Sequence, residues 1–350
     1  MSEPSLALVN AGKNSQSRDL AKLAMAIFEK LKADKHPGVS IVVSFGTDVQ
    51  VSASHGFARL PSDEPSLPMS EHVRYNLASV SKPLTAALTI RLLLDNKQVS
   101  LDSTIYPLLP KDWNVHPSRR NITFRQILTH KSGMESAALK YSTVRQEMAK
   151  PLDGNAGTYA YKSINYSLQR ILAGPLQFPG FQNSLVGDTL GGIFTSSAYV
   201  EAMFTAVFAP GGTPEATFEN SKYPGLGYVA GNAPGEGQEF TASQLTLGSS
   251  GWRLTCAEAS RLFRMLHYSE AILPKAWSQK MADENLGYDP DSGSVEGVSY
   301  FTKGGHLPAG EADIKSRIVG FANGVMVMVF VNSQAGSALP VIKDEFKKWY

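Results

Sequence analysis

Strand-forming sequence lies at the two ends of this chain, and that split is the strongest constraint on its fold. Near the N-terminus, Val39-Ser40-Ile41-Val42-Val43-Ser44-Phe45 reads as a strand, Gly46-Thr47-Asp48 as a turn and Val49-Gln50-Val51-Ser52-Ala53 as its return. Some 240 residues later, Val298-Ser299-Tyr300-Phe301-Thr302-Lys303 and Ser316–Phe321 read as strands, followed by Val325-Met326-Val327-Met328-Val329-Phe330-Val331-Asn332. The last run is apolar at nearly every position, as expected of a central strand covered on both faces. Helical spacing flanks both sets. Leu20, Leu23, Ala24, Ile27, Phe28 and Leu31 mark a helix within Ser17–Lys35, and Leu339–Trp349 closes the chain as an amphipathic helix. The economical arrangement is one antiparallel sheet joining both termini under those two helices. The fold class is therefore α/β (α+β). Residues 1–75 and 295–350 form the sheet with its terminal helices, residues 76–294 form a mostly helical region, and a ligand site is expected in the cleft between them. Residues 1–16 read as a loose, polar start. Ala209–Gly237 is too rich in glycine and proline for regular structure and has the length of a binding wall or lid.

Composition removes several classes of function. A net charge of +2 gives no field for nucleic acid or an anionic membrane surface. No stretch approaches about 18 apolar residues, so nothing is expected to span a membrane. The start, Met-Ser-Glu-Pro-Ser-Leu-Ala-Leu-Val-Asn, has neither the basic segment nor the apolar core of a secretory signal, and the expected location is cytoplasmic. The seven histidines show no H-x-x-x-H spacing, so no metal site is expected. The single cysteine, Cys256, excludes an internal disulfide and reads as a small buried thiol.

Chemistry concentrates at Ser79-Val80-Ser81-Lys82-Pro83-Leu84. The stretch opens a helix whose continuation, Leu84 to Leu94, is dense in apolar residues. Positions i and i+3 lie one above the other on a helix, so Ser79 and Lys82 can touch. Burial disfavours an ammonium, and a neutral lysine can take a proton from serine. Ser79 therefore reads as a nucleophile and Lys82 as its base. S-x-x-K alone is a weak signal, and a helix start with an exposed lysine is the competing reading.

Two more stretches add weight. Gly157-Thr158-Tyr159-Ala160-Tyr161-Lys162-Ser163-Ile164-Asn165 is a loop entering a helix, and Phe301-Thr302-Lys303-Gly304-Gly305-His306 is a strand end with two glycines. With Ser79-Val80-Ser81-Lys82, their order and placement resemble the three motifs of the serine β-lactamase and penicillin-binding-protein superfamily: S-x-x-K, then Y-x-N or Y-x-S, then K-T-G or H-x-G. The nearest likeness is to its class C-like branch of esterases, D-aminopeptidases, D,D-peptidases and acyltransferases. Ile122–Gly133 resembles the helix before that family's T-S-G turn, with Thr123 as N-cap and Gly133 as the C-terminal stop. Gly248-Ser249-Ser250-Gly251-Trp252 resembles its glycine turn.

The resemblance implies roles residue by residue. Ser79 attacks an acyl carbonyl, Lys82 is the general base or holds the proton network, and Tyr161 is a second base and proton shuttle near its phenolate form, lowered by two adjacent cations. Tyr159 is the rival for that role. Ser163 and Lys303 contact substrate. Gly304 and Gly305 let substrate approach the strand, and the N–H groups of Ser79 and His306 form the oxyanion hole. His306 contributes its backbone only, and His130 is structural. Two departures stand out: Ser163 replaces an asparagine amide, and Gly304 replaces the threonine of K-T-G. Both argue against β-lactam or D-Ala-D-Ala substrates. The implied function is a serine hydrolase forming a Ser79 acyl-enzyme, an esterase or amidase on a small acyl substrate, without cofactor and with no oligomeric state implied. The alternatives are an acyltransferase of the same fold, with Ala209–Gly237 keeping water out, and a binding protein that keeps the fold without turnover.

Overall fold

The computed structural model describes all residues except 1–4, 10–14, 48, 179, 182–186, 232–234, 335 and 350. In chain order the elements are β1 (Ser5–Val9), α1 (Ser15–Ala33), β2 (Gly38–Phe45), β3 (Val49–Arg59), β4 (Leu67–Pro68), β5 (Arg74–Asn76), α2 (Ser81–Asp95), α3 (Phe124–Leu128), α4 (Tyr141–Met148), α5 (Ile164–Gln177) and α6 (Gly187–Met203). Then come β6 (Arg253–Thr255), α7 (Cys256–Tyr268), α8 (Lys275–Asp283), β7 (Gly293–Val295), β8 (Val298–Ala309), β9 (Ala312–Phe321), β10 (Val325–Val331) and α9 (Ala338–Trp349). The main sheet runs β1-β3-β2-β10-β9-β8-β7, with β4 added to β3, and every described pairing in it is antiparallel.

The joint between the termini is the β2–β10 pair, in register from Val325 opposite Phe45 to Val331 opposite Val39. Strand alternation sorts its side chains to two cores. Val327, Val329 and Val331 pack with Ile41 and Val43 beneath Leu23, Ile27 and Phe28 of α1 and Ile342 and Phe346 of α9. Met326, Met328 and Phe330 face the other way, into a larger core shared with Leu84, Leu88, Ile171 and Trp252 of the middle region. On that second face β2 carries hydroxyls. Ser54 donates to Ser40 at 3.1 Å, and Cys256, at the start of α7, donates to the Met328 carbonyl at 3.5 Å. Small polar residues thus let α7 lie directly on the sheet. Burial pushes the Cys256 thiol pKa upward, as an inert core thiol requires.

Three expectations change. The N-terminal stretch is not all loose: Ser5–Val9 forms an edge strand registered on β3, from Ser5 opposite Ser54 to Val9 opposite Gln50. A strand of five residues needs only the free main-chain edge of β3, a partner invisible in local composition. β8 does not end at Lys303 but continues through both glycines to Ala309, paired with β9 throughout. The helix before the T-S-G-like turn ends at Leu128, so Gly133 is not its stop. Thr123 is its N-cap, in a capping box with Gln126. Gly133 instead has φ +77° where a Cβ would meet the Ala156 nitrogen at 2.8 Å.

Ala209–Gly237 holds no helix or strand among its described residues, as expected. It is strapped to the sheet, with Leu226 N–H donating to the Ala58 carbonyl at 2.9 Å and Tyr228 N–H to the Asn332 carbonyl at 2.8 Å. No described helix is long and apolar enough to cross a membrane.

Candidate active site

Ser79 sits in a 3-10 turn, Ala78–Val80, that runs straight into α2. The residue before it, Ala78, has φ +47°, a left-handed conformation that an alanine adopts only under constraint. The constraint is visible. Leu77 N–H donates to the Trp252 carbonyl at 2.8 Å, Ala78 N–H donates to Asn76 Oδ1 at 2.9 Å, and Ser316 Oγ donates to the Leu77 carbonyl at 2.7 Å. Gly305 of β8 lies against the same turn. A Cβ there would come within 2.5 Å of the Leu77 carbonyl oxygen and 2.2 Å of Ser316 Oγ. Its absent side chain lets β8 close on the Ser79 turn, a packing role different from the substrate approach expected of it. Gly304 plays the matching part on the opposite face, where a Cβ would meet the Arg317 guanidinium at 2.5 Å.

One helical turn on, Lys82 is 1 % exposed. Its Nζ lies 3.0 Å from Ser79 Oγ and donates to the Ser249 carbonyl at 2.7 Å. Burial, helped by the charge of Lys303, pulls its pKa well below that of a free lysine, with Asp289 opposing. The shift favours the neutral amine over the ammonium, the form with a lone pair free to accept a proton. The Ser249 carbonyl is presented by a turn between Gly248 (φ +106°) and Gly251 (φ +107°), pinned where Thr85 Oγ1 donates to the Gly248 carbonyl at 2.8 Å.

Tyr161 completes the group. Its hydroxyl donates to Ser79 Oγ at 2.7 Å. Its ring has Lys303 Nζ 4.4 Å and Lys82 Nζ 4.9 Å from its centroid. The rival Tyr159 lines the same cavity, but the hydroxyl on Ser79 is that of Tyr161. Flanking cations were expected to hold Tyr161 near its phenolate form. The structure overturns this: the hydroxyl is pushed up to about 12, by burial first and by Asp289 as well, against the hydrogen bond to Ser79. The sequence counted two cations and no counter-ion. Lys82 leans to the neutral amine, and Lys303, 2 % exposed, is ion-paired through Nζ to Asp289 Oδ1.

Asp289 is the functional residue that sequence reasoning missed. It sits beside the open edge of β8, since β7 pairs only as far as Tyr300. Its Oδ2 accepts from Gly304 N–H at 2.8 Å and from Arg317 Nη1 at 3.3 Å. The only local signal was the turn-forming Tyr288-Asp289-Pro290-Asp291.

Ser79, Tyr159, Tyr161, Asp289, Lys303, Gly304, Gly305, His306 and Arg317 share one cavity of about 590 Å³. Ser163 does not line it. It is half-buried at the N-cap of α5, and its carbonyl accepts from the N–H groups of Tyr166 and Ser167. His306 presents its ring on the face of β8 away from Lys303, where Nε2 pairs with buried Asp313 Oδ2 at 2.5 Å. No described residue of Ala209–Gly237 lines the cavity, so that segment is not seen to shield the site from water. Among the described residues no group of three or more His, Cys, Asp or Glu side chains could hold a metal ion.

The fold has counterparts among known proteins. The family model described as Beta-lactamase matches residues 23–337. The esterase EstB of Burkholderia gladioli is 28 % identical over 191 residues, 51 % of this chain and 46 % of that protein, so the match spans about half of the relative's length. Among solved structures, EstCE1, described as a hydrolase with promiscuous acyltransferase activity, superposes with a TM-score of 0.70 at 14 % identity over 95 % of this chain and 100 % of its own. The D-amino acid amidase of Ochrobactrum anthropi gives 0.66 at 17 % identity over 94 % and 99 %. The octameric penicillin-binding protein homologue of Pyrococcus abyssi gives 0.69 at 18 % over 94 % and 76 %. At these identities the structural likenesses establish the fold.

Proposed function

Starting from a chain that belongs to the β-lactamase family, we propose a serine hydrolase that cleaves a small ester or amide through a Ser79 acyl-enzyme. One observation carries the reading: Ser79 Oγ, at a cavity wall, is touched by the Tyr161 hydroxyl at 2.7 Å and by the buried Lys82 amine at 3.0 Å. In the first step Ser79 Oγ bonds to the acyl carbon while its proton passes to Lys82 Nζ. Charge developing on the carbonyl oxygen is met by the N–H groups of Ser79 and His306. The C–O or C–N bond to the leaving group breaks, and the Lys82 proton reaches the departing atom through the Tyr161 hydroxyl. Water then enters by the same route in reverse, releasing the acid and restoring Ser79. Lys303, anchored by Asp289, holds the Tyr161 ring and faces the substrate. The esterase likeness of the curated relative favours an ester over a peptide, and Ser163 and Gly304 lack the groups with which the family holds a β-lactam.

The test is intact mass after mixing with p-nitrophenyl butyrate and, separately, a fluorophosphonate. Wild type gains one adduct and releases a burst of nitrophenol; Ser79→Ala does neither. Equal labelling of the variant would remove Ser79 from the mechanism. Adding a competing alcohol or amine separates hydrolysis from acyl transfer by the product formed.

The pH dependence follows from the two shifted groups. Lys82 is active as the free amine, so kcat/KM rises with pH as the ammonium is lost at its lowered pKa. Tyr161 keeps its proton until about 12, so the rate then stays level. The expected profile has an acid limb and no descending limb below about pH 10. A descending limb near neutrality would mean that Tyr161 ionises easily, contrary to the role given it here.

A further inference from the structure

His130 is buried beside the site, 3 % exposed, and the steps above do not use it. Its backbone carbonyl accepts from Ala160 N–H at 2.8 Å. Its Nδ1 accepts from Lys162 N–H at 3.3 Å and lies 3.3 Å from Asn165 Nδ2. The residues on either side of Tyr161 are thus tied to one histidine, and the histidine ring lies 4.5 Å from the Tyr161 ring, centroid to centroid. The residue holds this place in the left-handed region, at φ +56°, where a non-glycine residue persists only when its surroundings hold it. Ser132 Oγ, donating to Asn165 Oδ1 at 2.6 Å, fixes the amide that faces Nδ1.

We propose that His130 is a positioning residue for Tyr161, gripping both neighbours and one ring face so that the phenol hydroxyl stays on Ser79 Oγ. The inference rests on the hydrolase reading above. His130 is not a second base. Two donors at Nδ1 place its proton on Nε2, which is buried with no hydrogen-bond partner, and burial together with Lys82 and Lys303 pushes its pKa down to about 2. It therefore braces Tyr161 as a neutral ring and adds no charge beside it.

A double-mutant cycle with Tyr161→Phe separates this role from a general structural one. His130→Ala is expected to lower kcat about 30-fold with KM changed less than about threefold. In the Tyr161→Phe background the same change is expected to cost less than about twofold, because there is no hydroxyl left to position. His130→Asn, whose carbonyl oxygen replaces Nδ1 and which tolerates a left-handed backbone, is expected to recover kcat to within about fivefold of wild type. It also serves in the cycle if the alanine variant does not fold. Fully additive losses in the Tyr161→Phe background, or unchanged kcat in both His130 variants, would overturn the proposal. Absence of both turnover and Ser79 labelling in wild type would overturn the hydrolase reading, and this inference with it. Normal wild-type turnover with an additive cycle would overturn the His130 role alone.

Discussion

Lys82→Met lowers the rate of acylation of Ser79 about 10³-fold and leaves the protein at least as stable as wild type. The two halves of this result have one cause. The Lys82 amine is 1 % exposed, and among the described residues no carboxylate is hydrogen-bonded to it; its partners there are the Ser79 hydroxyl and the Ser249 carbonyl. The fully buried Tyr166 ring has its centroid 5.7 Å from the amine. Such a site charges a desolvation cost to any ammonium, and a methionine of similar length removes that cost while filling the space. The Ser249 carbonyl loses a donor, a smaller penalty for one acceptor with a second lone pair. What disappears is the only amine hydrogen-bonded to Ser79 Oγ among the described residues. Lys82→Arg does not restore the rate, because a guanidinium keeps its proton. The measurement is the nitrophenol burst rate beside the urea midpoint of each variant. A burst rate within about tenfold of wild type would remove Lys82 as the base. A large loss of stability with the methionine would recast it as a structural lysine.

Lys82 was legible in sequence because its chemistry is local: it stands three positions after Ser79, and the apolar run after it announces burial. The sheet was legible for a similar reason. Val325–Val331 can only be a strand covered on both faces, and both ends of the chain supply strands to flank it. Tyr161 and Lys303 came from motif order, and the structure brings both to Ser79. Contacts made by backbone or across the fold were not legible. The Ser249 carbonyl has no side-chain signature. Gly305 reads as a strand-end glycine open to substrate until its Cβ position is seen to overlap the Leu77 carbonyl. The ionisation of Tyr161 was misjudged because burial of its hydroxyl raises the pKa first, with Asp289 adding to it, an acid in a turn whose pairing with Lys303 exists only after β8 and the 289–291 segment lie side by side.

That acid carries the largest expected effect on stability. Asp289→Asn lowers the unfolding free energy at pH 7 by about 3 kcal/mol. The carboxylate is the counter-ion of Lys303, itself 2 % exposed, and also takes Arg317 Nη1 at 3.3 Å and Gly304 N–H at 2.8 Å. An asparagine keeps the shape and one acceptor but leaves a buried ammonium without its opposing charge, the costly half of breaking a buried pair. The sign of the pH dependence identifies the cause. Burial already lowers the Lys303 pKa and Asp289 opposes that fall, so the variant lowers it further. A lysine whose folded pKa lies below its unfolded value of about 10.4 destabilises the fold wherever the unfolded chain holds the proton more tightly. The deficit is therefore largest at neutral pH and shrinks as pH rises through the lowered folded value of wild type, above which Lys303 is neutral in both folded proteins. Urea unfolding of wild type and variant at pH 7 and about pH 9.5 gives the comparison. A deficit that stays constant with pH would assign the loss to hydrogen-bond geometry at Gly304 instead. No deficit at either pH would mean that Lys303 does not depend on Asp289 for its place over the Tyr161 ring.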